Sequence, residues 1–230
     1  MHMNIMISAT TDCKLGRKGL RGFTLVELLT VIAIIGILAS LVLALQSGAK
    51  AKAYKERVRS EIAALQTAID TYKNARGYYP PDNNLNGVVN SWQTPLFYEL
   101  TGCTVNNGVY TSQGDGQMLT VTQLTNYFNL SGILNADASA SNVKNFYPSL
   151  RNDTHSVVNT NGIYSVFGTR VQGPLMLKLA PGQVGVPINP VHYNSSNPTN
   201  TQTYDLWFDV IIQGKTNRIS NWSADPQIVY

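Results

Sequence analysis

The 230 residues are 43% hydrophobic and 13% charged, which excludes a disordered chain and suits one domain of ordinary size plus an appendage. The formal charge of +4 is an uneven average: residues 1–22 carry a net +3, whereas residues 77–230 hold six basic side chains against eight acidic ones. The globular part therefore offers no basic face for nucleic acid, and the two cysteines, Cys13 and Cys103, cannot form a bridge in a chain that has lost its first residues.

The first element in chain order is "RKGLRGFTLVELLTVIAIIGILASLVLAL", residues 17–45, basic at its start and apolar thereafter. Between Phe23 and Leu45 the single charge is Glu27. A helix of that length, at about 1.5 Å per residue, spans a hydrocarbon core of roughly 30 Å. A secretory signal has a shorter apolar centre and a small-residue cleavage site after it, and the best candidate here, near Ala49-Lys50-Ala51, is poor. A plain signal anchor fits the length. In that reading Glu27 is a tolerated acid whose side chain reaches the interface, where it costs less than the roughly 2.5–3.5 kcal/mol of a charge at mid-membrane.

The hexapeptide Gly22-Phe23-Thr24-Leu25-Val26-Glu27, after basic residues and before an apolar helix, resembles the processing site of type IV pilins and pseudopilins. The likeness covers roughly residues 16–80. It implies that a prepilin peptidase cuts on the cytoplasmic side between Gly22 and Phe23, and that the new N-terminal Phe23 is N-methylated. It also implies that Glu27, then the fifth residue, neutralises the α-ammonium of an adjacent subunit docking into a filament. Attraction between the two is strengthened by an apolar setting and opposed by desolvation. The implied partners are other pilin or pseudopilin subunits, the peptidase, an inner-membrane assembly platform, and lipid before assembly. The implied topology is a single pass through the cytoplasmic membrane, N-terminus inside and globular domain outside. Many pilins have a proline midway through the apolar half; "ASLVLAL" has none, and Gly36 and Gly48, one on each side of it, are the weak points.

The chain then divides into a cleaved leader (1–22), a transmembrane and assembly helix (23–45), an amphipathic continuation (46–76) and a globular domain (77–230). In the continuation Tyr54, Val58, Ile62, Leu65, Ile69 and Tyr72 form a stripe of helical period. No proline falls between 23 and 76, and "RGYYPP" stops the pattern. Lys50, Lys52, Lys55, Arg57 and Arg59 make a solvated helix face or a contact for lipid headgroups or acidic neighbours.

The globular domain reads as α+β: a pilin-like lollipop in which the long helix packs on an antiparallel sheet. "TPLFYEL" (94–100) and "LTVTQLTNYFNL" (119–130) are candidate helices, and "GIYSVF" (162–167) and "PLMLKL" (174–179) candidate strands. "NPVHYNSSNPTNTQT" (189–203) reads as a polar loop. In "YDLWFDVII" (204–212), Tyr204, Leu206, Phe208, Val210 and Ile212 share one face; "QGKTN" turns and "RISNW" returns.

No catalytic motif is present, so the chain is not expected to be an enzyme. His155 and His192 are expected in surface or loop roles. "DNNLNG" opens like a calcium loop, with Asp82, Asn84 and Asn86 as oxygen ligands, but Gln93 stands where a bidentate Glu belongs. An Asn/Gly turn is the favoured reading and weak calcium binding the alternative; no other cofactor is expected. Some major pseudopilins bind calcium near the C-terminus, a site that "NWSADPQIVY", with Asp225 alone, does not carry. "GYYPP" after the helix and the missing C-terminal disulfide favour a pseudopilin of a type II secretion-like system, with a type IV pilus subunit, such as a minor pilin, as runner-up. A membrane-tethered binding domain or enzyme using the pilin-like segment for export is the alternative of another class.

Overall fold

The computed structural model describes residues 22–201 and 203–229, and all of their side chains except those at 42–47. The expected leader thus lies, Gly22 apart, outside the described residues. The chain divides into two compact units, the first ending at Gln46 and the second running Ser47–Tyr230. Helix α1, Leu25–Arg76, is continuous through Gly36 and Gly48.

In the first unit every described side chain as far as Leu41 is exposed. Among the described residues no helix is long and apolar enough to cross a membrane. The stretch expected to do so includes positions 42–45, whose side chains lie outside the description.

In the second unit Val58, Ile62, Leu65, Ile69 and Tyr72 of α1 are buried, as their spacing requires. Tyr54 departs from the stripe: it is 46% exposed, so burial starts one turn later. Ala68 and, unexpectedly for an acid, Glu61 complete the buried face. The helix stops at Gly77, whose φ of +87° suits a residue without a side chain and whose N–H donates to the Lys73 carbonyl.

Strands β1 (Asn84–Leu85) and β2 (Val88–Val89) pair across Asn86-Gly87, both at positive φ, the requirement of a two-residue hairpin turn. Helix α2 (Leu96–Thr101) is buried on all sides. Strands β3 (Cys103–Asn106), β4 (Val109–Ser112) and β5 (Met118–Thr120) follow, then α3 (Val121–Phe128) and β6 (Ala136–Asp137). These strands form one sheet in the order β5-β4-β3-β6, antiparallel but for β3 with β6. Thr120 opens α3 with a capping box: its side chain accepts from the Gln123 N–H, and the Gln123 side chain accepts from the Thr120 N–H.

Next come β7 (His155–Asn159), β8 (Ile163–Thr169), β9 (Asn189–Pro190), β10 (His192–Asn194), β11 (Asp205–Ile212), β12 (Lys215–Ser220) and β13 (Gln227–Ile228). They form two antiparallel sheets, β7-β8-β9 and β10-β11-β12-β13. The α+β class and its antiparallel sheets agree with the sequence, as do α2, α3, β8 and β11. In β11, Leu206, Phe208, Val210 and Ile212 are buried while Trp207, Asp209 and Ile211 are half-covered.

Three expectations are corrected. "PLMLKL" forms no strand: Leu177 and Leu179 make single bridges to Ile188 and Val158. The C-terminal turn uses two residues, Gln213 and Gly214, at φ +51° and +75°; the tight turn places Lys215, Thr216 and Asn217 in β12, with Ile212 facing Lys215. The segment 189–203 is not all loop, because β9 and β10 add to β8 and β11. Two of their polar side chains have partners distant in sequence: the Asn189 amide donates to the Asp209 carbonyl at 2.8 Å, and His192 stacks on Trp207.

Candidate functional site

The N-terminal segment is built around one helical turn. The Thr24 N–H and hydroxyl both donate to Glu27 Oε2, at 2.9 and 2.8 Å, and the Glu27 N–H donates back to Thr24 Oγ1 at 3.2 Å. This is a capping box, and "TLVE" is its Ser/Thr-x-x-Glu signal, which a reading of Glu27 as an assembly charge passes over. The acid also sits in the first turn of α1, where the helix dipole favours negative charge. Both of these bonds use Oε2. A Cβ added at Gly22 would meet nothing within 4 Å, so nothing within the described chain requires glycine there.

The residues of the calcium-like loop have separate tasks. Asp82 is buried and its carboxylate accepts from the Ser195 N–H (2.9 Å), the Ser196 N–H (2.8 Å) and the Ser196 hydroxyl (2.6 Å). Asn84 Oδ1 accepts from the Gly87 N–H at 2.8 Å and Gln93 Oε1 from the Asn90 amide at 3.2 Å, while Asn86 occupies the turn. The donor set is thus spent on shaping the chain, and Asp82 anchors the loop that follows β10.

His155 and His192 lie on strands. His155 stacks on Phe97 and its Nδ1 lies 2.8 Å from the Arg151 carbonyl. His192 Nδ1 lies 2.9 Å from Ser91 Oγ. Cys103 is buried, and burial pushes its thiol well above the usual range, which makes it a poor nucleophile. Among the described residues no three His, Cys, Asp or Glu side chains gather to hold a metal ion. In the basic cluster, Arg57 pairs with Glu61 (3.0 Å) and Asp153 (3.2 Å), and Arg59 reaches Glu56 and the Ala224 carbonyl. Lys50 and Lys52 are exposed.

The segment defines a class: residues 17–43 match the prokaryotic N-terminal methylation motif, and this prepilin-type stretch contains Gly22, Phe23 and Glu27. Particular relatives share it. The chain is 51% identical over 63 residues to the type II secretion system core protein G of Escherichia coli strain K12, covering 27% of this chain and 43% of that protein. It is 43% identical over 76 residues to the protein of the same name from Dickeya chrysanthemi, covering 33% and 50%. It is 37% identical over 92 residues to the fimbrial protein EcpB of Eikenella corrodens, covering 40% and 58%. The chain spans about half the length of the curated relatives it matches. No solved structure matches it.

Proposed function

We propose that this chain is a structural subunit of a membrane-assembled filament, a pseudopilin of a type II secretion-like system. The observation that carries the reading is the methylation motif on a helix whose described apolar side chains are exposed on every side, from Phe23 to Leu41. Such a surface needs lipid or like helices around it. Lipid covers it while the subunit spans the cytoplasmic membrane with its second unit outside; neighbouring helices cover it in the filament. Cleavage between Gly22 and Phe23 creates the α-ammonium that Glu27 of a docking neighbour neutralises. The likeness to the fimbrial protein favours a second reading, a type IV pilus subunit, in which the same chemistry builds a longer fibre.

The test is to recover the protein from membranes and from sheared surface fibres of cells with an active peptidase. Mass spectrometry should show an N-terminus at Phe23 carrying one added methyl group, in both fractions. An intact leader, or a cut near residue 50, would overturn the reading. Gly22→Leu should block the cut without disturbing the fold, because the described chain leaves space at that position.

A further inference from the structure

We propose that the second unit binds a short neutral oligosaccharide in the groove between the β1–β2 hairpin and α3. The inference is independent of the filament reading. The groove has a volume of about 880 Å³, and of its twelve lining residues seven are Asn or Gln and none is charged. That size lies within the range of small-molecule sites.

The lining selects the ligand class by its chemistry. An ionic ligand would meet no countercharge, so its desolvation would go uncompensated. A wholly apolar ligand would strip water from the exposed amides of Asn86, Asn126 and Asn161 and leave them unpaired. A polyhydroxylated neutral ligand suits both conditions. A primary amide on the surface, as at Asn86, Asn126 and Asn161, presents donor and acceptor side by side, the pattern that two neighbouring sugar hydroxyls complement. Asn86, Asn126 and Asn161 are exposed and line the groove from three separate segments. Trp92 and Tyr127 also line it, and aromatic side chains combine an apolar ring with a polar edge, matching the mixed C–H and O–H surface of a sugar.

The groove is held in shape before any ligand arrives. Asn83 is buried beneath it, and its amide donates to the Gln93 carbonyl at 2.7 Å and the Tyr127 carbonyl at 2.9 Å. Its Oδ1 accepts from the Asn129 amide. The Tyr127 ring rests against Tyr164, with centroids 5.4 Å apart. Gly162, at φ +145°, makes room for it: a Cβ there would fall 2.0 Å from Tyr127 Oη. A preformed site loses less conformational freedom on binding. The stretch "DNNLNG", which resembles a calcium loop in sequence, thereby gains a different task as one wall of the groove.

The experiment uses the full chain in a sugar-free zwitterionic detergent, with saturation-transfer NMR and calorimetry. The probes are cellotetraose, maltotetraose and chitotetraose, with tetragalacturonate as the charged control. The expected result is saturable binding of at least one neutral probe, with a dissociation constant of roughly 0.01–1 mM, and none of the control. Asn126→Ala and Asn161→Ala, both at exposed positions, should each weaken binding by about 2–10-fold, the worth of one neutral hydrogen bond. Trp92→Ala should weaken it further; if that variant misfolds, the two amide variants decide. No saturable signal from any neutral probe would overturn the proposal, as would equal binding of the charged probe or undiminished binding by both amide variants. Self-association lost in Asn126→Ala would assign the groove to a second copy instead and overturn it equally.

Discussion

The carboxylate of Glu99, on α2, is fully buried and takes three donors: the Tyr72 hydroxyl at 2.9 Å, the Leu134 N–H at 2.8 Å and the Asn135 N–H at 3.0 Å. Burial pushes its pKa above the ordinary carboxylate range, while these donors and nearby Arg76 pull it back without cancelling the rise. The sign follows from linkage. A folded carboxyl with a raised pKa holds its proton where the unfolded chain has released it, so stability falls as pH rises from the ordinary range through the raised value. Glu99→Gln removes that slope. It also places an amide NH₂ against donors, so it should cost about 1–3 kcal/mol at neutral pH. Denaturant unfolding of wild type and variant across pH 4–8 checks both statements. Nothing in the local sequence distinguishes Glu99 from a surface acid on a short helix, because its three partners come from α1 and the segment before β6.

At the scale of elements, periodicity decides what can be read. The buried stripe of α1 and the alternation of β11 are legible because one face of each meets the core and the other does not. Strands β9 and β10 are hidden because the Asn189 amide and His192 have partners that only the fold supplies. His192 lies directly opposite Trp207 in the β10–β11 register, and the two rings stack with centroids 4.8 Å apart. "PLMLKL" errs in the other direction: Leu177 is buried and Leu175 and Leu179 are half-covered, yet its backbone makes only isolated bridges. The His192 pair yields a pH prediction. Burial pushes the imidazole down to about 4, with Arg218 adding to the fall and Asp209 opposing it. The unfolded chain therefore takes up a proton first, and stability should be lost as pH falls from about 6.5 toward the folded value, by no more than about 3 kcal/mol. His192→Phe keeps a ring against Trp207 and has nothing to titrate. It should lose about 1 kcal/mol at pH 7 with the Ser91 contact, and show a smaller acid loss between pH 6.5 and 4.5 in the same unfolding measurement.

At the scale of the whole molecule, the two units differ in what completes them. The second buries a core of its own, from Val58 to Ile219. The described side chains of the first bury nothing, so its stability as a helix depends on what surrounds it. Glu27 has two explanations at this scale, and they make different predictions. As a capping residue it serves its own helix, and Gln serves the same box. As an assembly charge it serves a neighbour, and Gln cannot neutralise an ammonium. Glu27→Gln therefore isolates the charge, Thr24→Ala removes the box and keeps the charge, and Glu27→Leu removes both. All three should insert, since the leader is unchanged and none of the substitutions adds a charge to the apolar run. Yield is best measured as protein in sheared fibres relative to Phe23-started protein in membranes, which cancels any effect on cleavage. The filament reading expects Glu27→Gln to lower that ratio, Glu27→Leu to lower it further, and Thr24→Ala to leave it nearer wild type. A normal ratio for Glu27→Gln beside a low one for Thr24→Ala would make Glu27 a helix cap alone. A normal ratio for Glu27→Leu would make it neither cap nor register, merely an acid that the helix end tolerates.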